Sequence, residues 1–427
     1  MDGLSATKWE TIVVGAGAAG LISAERSGAC GRKTLLIEKS KKPGVKILMS
    51  GGTRCNLTHH TDCLGIVRAF GKQGSFLHAP LSHLSPQDVV ELFEKEGVKT
   101  KVESTGKVFP RSNRALDVRD ALVRRLNASE VTLKTGEAVT DLSRDQNGEF
   151  MVQTANTIYR CEKLIITVGG QSYPGCGTTG DGYAWLRDWG HTIVPPIPAL
   201  APLTTSDQWL HQLKGISFQN VELWADSDVE TETQKAKRER LIRCRGDMLL
   251  THFGLSGPAP MNISRVLGIS GGYLPRIYCD FFPEHRQAEL EQLVRHLAQQ
   301  SGKRSWLTGL STHMPQRFAE SLLKVLGLDA QRRGSEVPNR WVVRVAESLK
   351  RLRMKVTGTR GFAKAEVTAG GVALGEVRSK TMESKIVPEL FLAGEILDLD
   401  GPIGGFNFQA AFSTGWLAGY QGQNPRS

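Results

Sequence analysis

The ten residues Thr11-Ile-Val-Val-Gly-Ala-Gly-Ala-Ala-Gly20 leave this chain few folds to choose from. A β-branched, apolar run meets Gly15-x-Gly17-x-x-Gly20, and a small-residue helix, Leu21-Ile-Ser-Ala-Glu25, follows. Gly15 permits the tight turn from strand to helix. Gly17 has no Cβ, so a pyrophosphate can approach the backbone, and Gly20 lets the helix pack close to the sheet. The helix N-terminus, with Ala18 and Ala19 in its first turn, offers unpaired N–H groups and a positive dipole end to phosphates. Arg32–Glu38 reads as the second strand and ends on a carboxylate 18 residues after Gly20, where an acid should meet a ribose hydroxyl. Glycine-rich turns are common. Strand, helix, second strand and acid in this order make the stretch a dinucleotide site.

At 427 residues the chain has room for about three domain-sized units. A hydrophobic content of 40% and a charged content of 23% are ordinary for a globular protein. No apolar run approaches the ~18 residues of a membrane span. The first strand begins before a basic n-region and an apolar h-region would fit, so a cytoplasmic protein with no membrane partner is expected. Seven scattered cysteines, without a C-x-x-C pair, suit free thiols in a reducing compartment. No H-x-x-x-H or Cys/His cluster supports a metal site. The net charge is +11, and Pro195–Arg360 carries 24 Lys and Arg against 16 Asp and Glu. A basic surface attracts nucleic acid, membrane or anionic substrates. Here it reads more simply as a solvated face, so nucleic acid is not the expected partner.

Lys39–Asn56 is a glycine- and lysine-rich loop that follows the ribose acid and is placed to wrap a bound cofactor. Lys39, Lys46, Gly51, Gly52, Arg54, Cys55 and Asn56 are its candidate contacts. Ser85-Pro-Gln-Asp88 opens a helix, with Ser85 as N-cap, and a second helix is expected over about Ala115–Asn127. Alternating runs around Asn147-Gly148 read as an antiparallel hairpin with a two-residue turn. Cys161–Val168 is then a buried strand that delivers Thr167 and Gly169 to the same end of the sheet as the first turn. Gly175-Cys-Gly177-Thr-Thr-Gly180 satisfies the glycine spacing but follows a loop and has no closing acid, so a second nucleotide domain is not expected. After Pro195, Pro196 and Pro198 the composition changes. Short strand-like runs to about Pro283, including the charged stretch Thr233–Arg240, precede helical patterns around 286–300, 316–326 and 340–353. The opening fold returns at Lys364–Val372, Leu390-Phe-Leu-Ala-Gly394-Glu395 and Gly404-Gly405-Phe406-Asn407-Phe408, ahead of a small-residue helix.

Several long segments together resemble a bacterial family of FAD-binding flavoproteins, described as NAD(P)/FAD-dependent oxidoreductases or aminoacetone-oxidase-like enzymes. They are Val13–Gly20, Ser50–Thr58, Phe109–Ser112, Gly169–Pro174 with Thr178–Tyr183, Thr251–Pro258, Val367–Val372, Lys380–Lys385 and Gly404–Gln409. The resemblance implies an α/β fold: a Rossmann-like FAD-binding domain, with a parallel sheet and β meander, interrupted by an insert with a β-barrel-like and a helical subdomain. The matching boundaries are 1–195 and 358–427 for the FAD domain, 196–283 for the β-rich part and 284–357 for the helical part. It also assigns Gly15, Gly17 and Gly20 to the pyrophosphate, Glu38 to the adenosine ribose, Val139 to the adenine and Gly394-Glu395 to the ribityl chain. Backbone N–H groups around Asn407 and Phe408 then face the flavin N1/C2 edge. Two departures stand out: Val45 where the family usually has Arg, and Thr53 where it usually has Gly.

The expected activity is that of an FAD-dependent oxidoreductase moving hydride through flavin N5, between a small organic substrate and either NAD(P)H or dioxygen. Arg54, Tyr173 and His252 are candidate catalytic groups, each weighed against an ordinary ion pair or packing role. Cys55 has no neighbouring cysteine and reads as a small buried thiol. The alternative function is a flavoprotein that binds RNA through the basic insert, as some tRNA-modifying flavoproteins do. A third is a redox partner with no small-molecule pocket.

Overall fold

The computed structural model describes residues 8–226, 240–269 and 275–421. All of the charged stretch at 233–240 except Arg240 falls outside them. The chain divides into two compact units, Met1–Pro198 with Ala365–Ser427, and Ala199–Lys364. Each has its own apolar core.

In the first unit the apolar run becomes β1 (Lys8–Val14), followed by α1 (Ala18–Ala29) and β2 (Thr34–Glu38). α2 (Pro86–Lys95) starts on a reciprocal cap: Ser85 Oγ accepts from Asp88 N, and Asp88 Oδ2 accepts from Ser85 N. α3 (Ala115–Ala128) buries Val118, Leu122 and Leu126 at helical spacing. β3 (Thr132–Thr135), β4 (Val139–Arg144), β5 (Phe150–Thr154), β6 (Ile158–Ile166) and α4 (Asp181–Asp188) follow. The sheet order is β3-β2-β1-β6-β5-β4. β1 pairs in parallel with β2 and β6, whereas β4, β5 and β6 form an antiparallel meander. The hairpin between β4 and β5 is longer than a two-residue Asn-Gly turn. Asp145 accepts from the N–H groups of Asn147 and Glu149, and Gly148 takes φ +83°, which closes a three-residue loop.

The second unit contains β7 (Leu203–Thr205), β8 (Ser217–Asp226), β9 (Arg240–Thr251), β10 (Gly254–Ser256) and β11 (Arg276–Asp280). Four helices come next: α5 (Gln287–Ser301), α6 (Trp306–Leu310), α7 (Gln316–Val325) and α8 (Asn339–Lys350). Trp306 and Phe318 are fully buried among them. The chain then leaves the helices as β12 (Leu352–Met354) and β13 (Val356–Thr359). The sheet order is β12-β11-β8-β9-β10-β7-β13, so two strands separated only by Lys355 occupy opposite ends of it. Its two edges must therefore meet, and the sheet curls toward a barrel. The segment 352–357, read from sequence as the end of the helical part, belongs to this closure, because its backbone finds partners on β11 and β7.

The return segment completes the first unit. β14 (Val367–Val372) precedes β15 (Leu390–Leu392), which pairs in parallel with the second half of β6, beyond the part that β5 occupies. α9 (Phe406–Tyr420) is buried on most sides and lies against α1. A Cβ at Gly415 would sit 2.5 Å from Ala19 O, and Ser23 Oγ donates to Gly415 O (2.8 Å), so the two helices meet backbone to backbone. Among the described residues, no helix is long and apolar enough to cross a membrane, and no group of three or more His, Cys, Asp and Glu side chains is arranged to hold a metal ion.

Candidate functional site

Gly15, Gly17 and Gly20 do three different things. Gly15 takes φ +96°, and a Cβ there would lie 2.9 Å from Thr167 O. A Cβ on Gly20 would lie 1.8 Å from Gly15 O, so only glycine lets α1 start this close to β1. Gly17 has ordinary extended dihedrals (φ −77°, ψ −167°), and a Cβ there would meet nothing within 4 Å. The fold itself does not need a glycine at 17. The space in front of it, at a helix N-terminus with no side-chain cap, fits an anion held by the N–H groups of Ala18, Ala19 and Gly20.

Glu38 ends β2, and its carboxylate accepts from Ala16 N and Ser40 N, both at 2.7 Å. Anchored so, each oxygen retains a lone pair for a hydroxyl. Gly136 N and Glu137 N donate to Ser40 O and Glu38 O, which brings the start of β4, and with it Val139, next to this acid. Thr167 Oγ1 donates to Val14 O and Gly15 O, clamping the turn from behind, and Gly169 takes φ +76°.

Further along, Lys39 pairs with Asp181 (2.5 Å) and Thr179. Burial works to raise the Asp181 pKa, but the Lys39 ammonium and the Thr179 hydroxyl outweigh it and hold the carboxyl below its usual value. Lys46 is held by Glu395 (2.5 Å) and Ser172 (2.5 Å), while the other Glu395 oxygen accepts from Ser172 Oγ and Thr368 N. One carboxylate thereby joins four segments that lie far apart in sequence. Next to it, the Tyr183 hydroxyl is buried and finds no hydrogen-bond partner among the described residues. Burial first, and then the charges of Glu395 and Asp398, push its pKa up. A buried hydroxyl left so costs about 1–3 kcal/mol, which a ligand acceptor would relieve.

The tail glycines close the other end. Gly404 and Gly405 take φ +142° and +91°, and a Cβ on Gly405 would lie 2.3 Å from Thr58 O. The Asn56 side chain accepts from Gly405 N (2.9 Å) and donates to Val108 O and Thr58 O, tying the early loop to the start of α9. Asn407 spends its side chain on Gly401 N and Gly401 O, which leaves backbone N–H groups of the first α9 turn as the ligand donors. Phe406 stacks on His59 (4.6 Å between centroids), whose Nδ1 lies 3.0 Å from Gly404 O, and Phe408 packs on Phe412.

Of the three catalytic candidates, Arg54 and Tyr173 lie in the first unit and His252 in the second. Arg54 pairs with Glu103 (2.7 Å) and lies over the Phe109 ring. Tyr173 is half-buried at φ +52°, with its pKa raised by burial and then by Glu366 and Cys176. His252 belongs to the second unit, exposed in the turn between β9 and β10 and edge-on to Phe253. Cys55 is fully buried, and burial pushes its thiol up to about 12, against a weaker opposing hydrogen bond from Ser50. It is a packing thiol at neutral pH. Gly51 and Gly52 take φ +54° and +66°, and Thr53 follows them into the left-handed region at +68°. Ser172, Thr368, His59 and Tyr183 were not singled out from sequence. Ser172, Thr368 and Tyr183 sit inside the motif segments, but nothing in their residue types distinguishes them from packing residues.

Open space at Gly17, an anchored acid at the end of β2, an orphaned phenol beside Glu395 and a second glycine turn at α9 all fit FAD, laid from Glu38 toward α9. Fold and site define a Rossmann-type FAD-binding oxidoreductase. The chain matches the model of the HI0933-like protein Rossmann domain over residues 9–421, and it belongs to that family. It is 32% identical over 414 residues, covering 96% of each chain, to the ribosomal RNA dihydrouridine synthase of Escherichia coli K12. To the 3-dehydro-bile acid delta(4,6)-reductase of Clostridium scindens it is 29% identical over 418 residues, covering 95% of this chain and 97% of that one. Among solved structures it resembles the fold of the 3-ketosteroid-delta4-(5alpha)-dehydrogenase of Rhodococcus jostii RHA1 (TM-score 0.50, 13% identity, 99% and 98% of the two chains).

Two substitutions test this site. Gly17→Val should cost only about 1 kcal/mol of helix capping, giving a folded protein by circular dichroism that no longer retains FAD. A Gly17→Val protein that purifies with full flavin would contradict the pyrophosphate assignment. Thr53→Gly removes a β-branched residue from a left-handed backbone and should raise stability by about 1 kcal/mol, read as a higher midpoint in thermal unfolding.

Proposed function

We propose that the protein is an FAD-dependent reductase that saturates a carbon–carbon double bond conjugated to a carbonyl, with a uracil base in RNA as substrate. What carries the reading is full-length kinship to two enzymes whose names describe that kind of saturation: one makes dihydrouridine in ribosomal RNA, the other reduces a 3-dehydro bile acid at positions 4 and 6. Saturating a double bond conjugated to a carbonyl takes hydride at the far carbon and a proton at the near one. The net charge of +11 by itself reads as a solvated face. Beside a relative that acts on ribosomal RNA it suits a polyanionic substrate, which reverses the expectation from sequence.

FAD held between the two glycine turns would supply hydride through N5, with NAD(P)H as the exchanging donor that recharges it. The chain's own part is to hold and to protonate. Backbone N–H groups at the start of α9 would hold FAD there and stabilise negative charge that builds on the reduced ring. Lys46, fixed by Glu395 and Ser172, would help hold the cofactor's ribityl side. Tyr173, next in sequence to the Ser172 that anchors Lys46 and Glu395, is the proton donor we assign. A second reading, a small conjugated ketone as substrate, is supported by the bile-acid relative.

The test is anaerobic. FAD-loaded protein is reduced with NADPH or NADH and then mixed with an unmodified uridine-containing transcript or with a 3-oxo-Δ4,6 steroid. Return of the oxidised-flavin spectrum with the transcript, and dihydrouridine in its digest, is the expected result; return with the steroid alone would move the assignment to the second reading. Failure of both, or of both nicotinamides to bleach the flavin, would overturn the reductase. Tyr173→Phe should slow the oxidation by substrate about 10²–10⁴-fold, with its FAD content retained.

A further inference from the structure

In the second unit, cations fall into two groups that differ in their partners. Four on the sheet and its border sit against carboxylates: Arg243 on Glu222 (2.7 Å), Arg351 on Asp226 (3.4 Å), Lys350 on Asp280 (2.6 Å), and Arg245 on Glu284, whereas Arg353 and Lys355 do not among the described residues. Such pairs cancel most of each other's field. At one end of the helical part the pattern is different. The loop after α5, carrying Lys303 and Arg304, lies beside the loop ahead of α8, carrying Arg332 and Arg333. Ser305 and Arg333 form an antiparallel bridge, Gly334 N donates to Arg304 O (2.9 Å), and Trp306 N donates to Arg332 O (3.0 Å). Arg332 lies over the Trp341 ring at 5.3 Å, so the first turn of α8, with Arg340, joins the same end.

Lys303, Arg304, Arg333 and Arg340 are exposed. Two exposed carboxylates stand near the group: Glu336, 3.7 Å from Arg333, and Asp329, which accepts from Gln331 N in the same loop. Lys303, Arg304 and Arg340 have no carboxylate within ion-pair distance among the described residues. Backbone bonds hold these loops together, so their cations outnumber the carboxylates at this end of the unit. A row of phosphates complements such an arrangement. A lipid surface fits less well. Among the described residues, the exposed large apolar side chains of this unit are Leu249 and Val325, and neither is in these loops to anchor them in a bilayer.

We propose that this basic end, formed by the loops at 302–305 and 332–335 with the first turn of α8, is the surface that grips the RNA backbone. The inference rests on the RNA reading of the proposed function and adds to it where the polyanion is held. The probe is a fluorescein-labelled, unmodified ribosomal RNA transcript, titrated by anisotropy against the full-length FAD-loaded protein over a series of salt concentrations. Three proteins are compared: the wild type, Lys303→Gln/Arg304→Gln/Arg333→Gln, and the sheet control Arg243→Gln/Arg245→Gln/Arg351→Gln. Every phosphate that a variant no longer neutralises should reduce the slope of log affinity against log salt by about 0.7–0.9. The first triple variant should therefore lose about two units of slope and bind at least about tenfold more weakly at low salt, and the sheet control should lose less than one unit. An unchanged slope in the first variant, or an equal loss in the control, overturns this surface while the reductase reading stands. A wild type that does not bind the transcript at low salt removes the RNA reading and this surface with it. FAD content and thermal unfolding confirm that each variant is folded; if the triple variant is not, Arg304→Gln and Arg333→Gln are read singly, each expected to lose about 0.7–0.9 of slope.

Discussion

Backbone lying against backbone, with no room for a Cβ between, is the constraint on which the rest of this structure depends. Gly20 against Gly15 sets the first turn, Gly405 against Thr58 O sets the tail turn, and Gly415 against Ala19 O brings α1 and α9 together. Each contact is one that any other residue would push apart. Together they place two helix N-termini, one from each end of the chain, in a single unit. Gly17 differs from these three in that no protein atom requires it; it leaves open space at the α1 N-terminus.

Between the two turns the site is held by polar clamps. Glu395 gathers Lys46, Ser172 and Thr368, and Asn56 links the early loop to Gly405. These bonds join segments hundreds of residues apart and so fix where the early loop and the tail lie relative to β1. The cost is local strain: Thr53, Cys55 and Tyr173 are held in left-handed backbone that non-glycine residues seldom adopt. All three lie in loops that border the candidate cofactor site.

The fold was largely legible, because its signals are local. The glycine turn, the reciprocal cap of α2, the helical spacing of α3 and the strand after Cys161 each depend on neighbours within a few residues. What escaped depends on distant partners. β12 and β13 are too short to show alternation and are strands only because β11 and β7 offer them open edges. α6, five residues long, carries too little periodicity to stand out. The same divide runs through the site. Glycines and acids announce themselves by type and spacing, whereas Ser172, Thr368 and the orphaned Tyr183 hydroxyl acquire meaning from what faces them. Lys39 and Arg54, flagged as cofactor contacts by their place in the loop, are held by Asp181 and Glu103, pairings that depend on distant residues and so could not be read from sequence.

The central claim is that one FAD lies between the first glycine turn and the tail glycines. Its most direct measurement is the flavin content of the purified protein after reconstitution, with the released cofactor identified by mass spectrometry. The account predicts a yellow protein with one FAD per chain and a flavin spectrum shifted from that of free FAD. A colourless protein that takes up no FAD, or one that selects FMN over FAD, would contradict it.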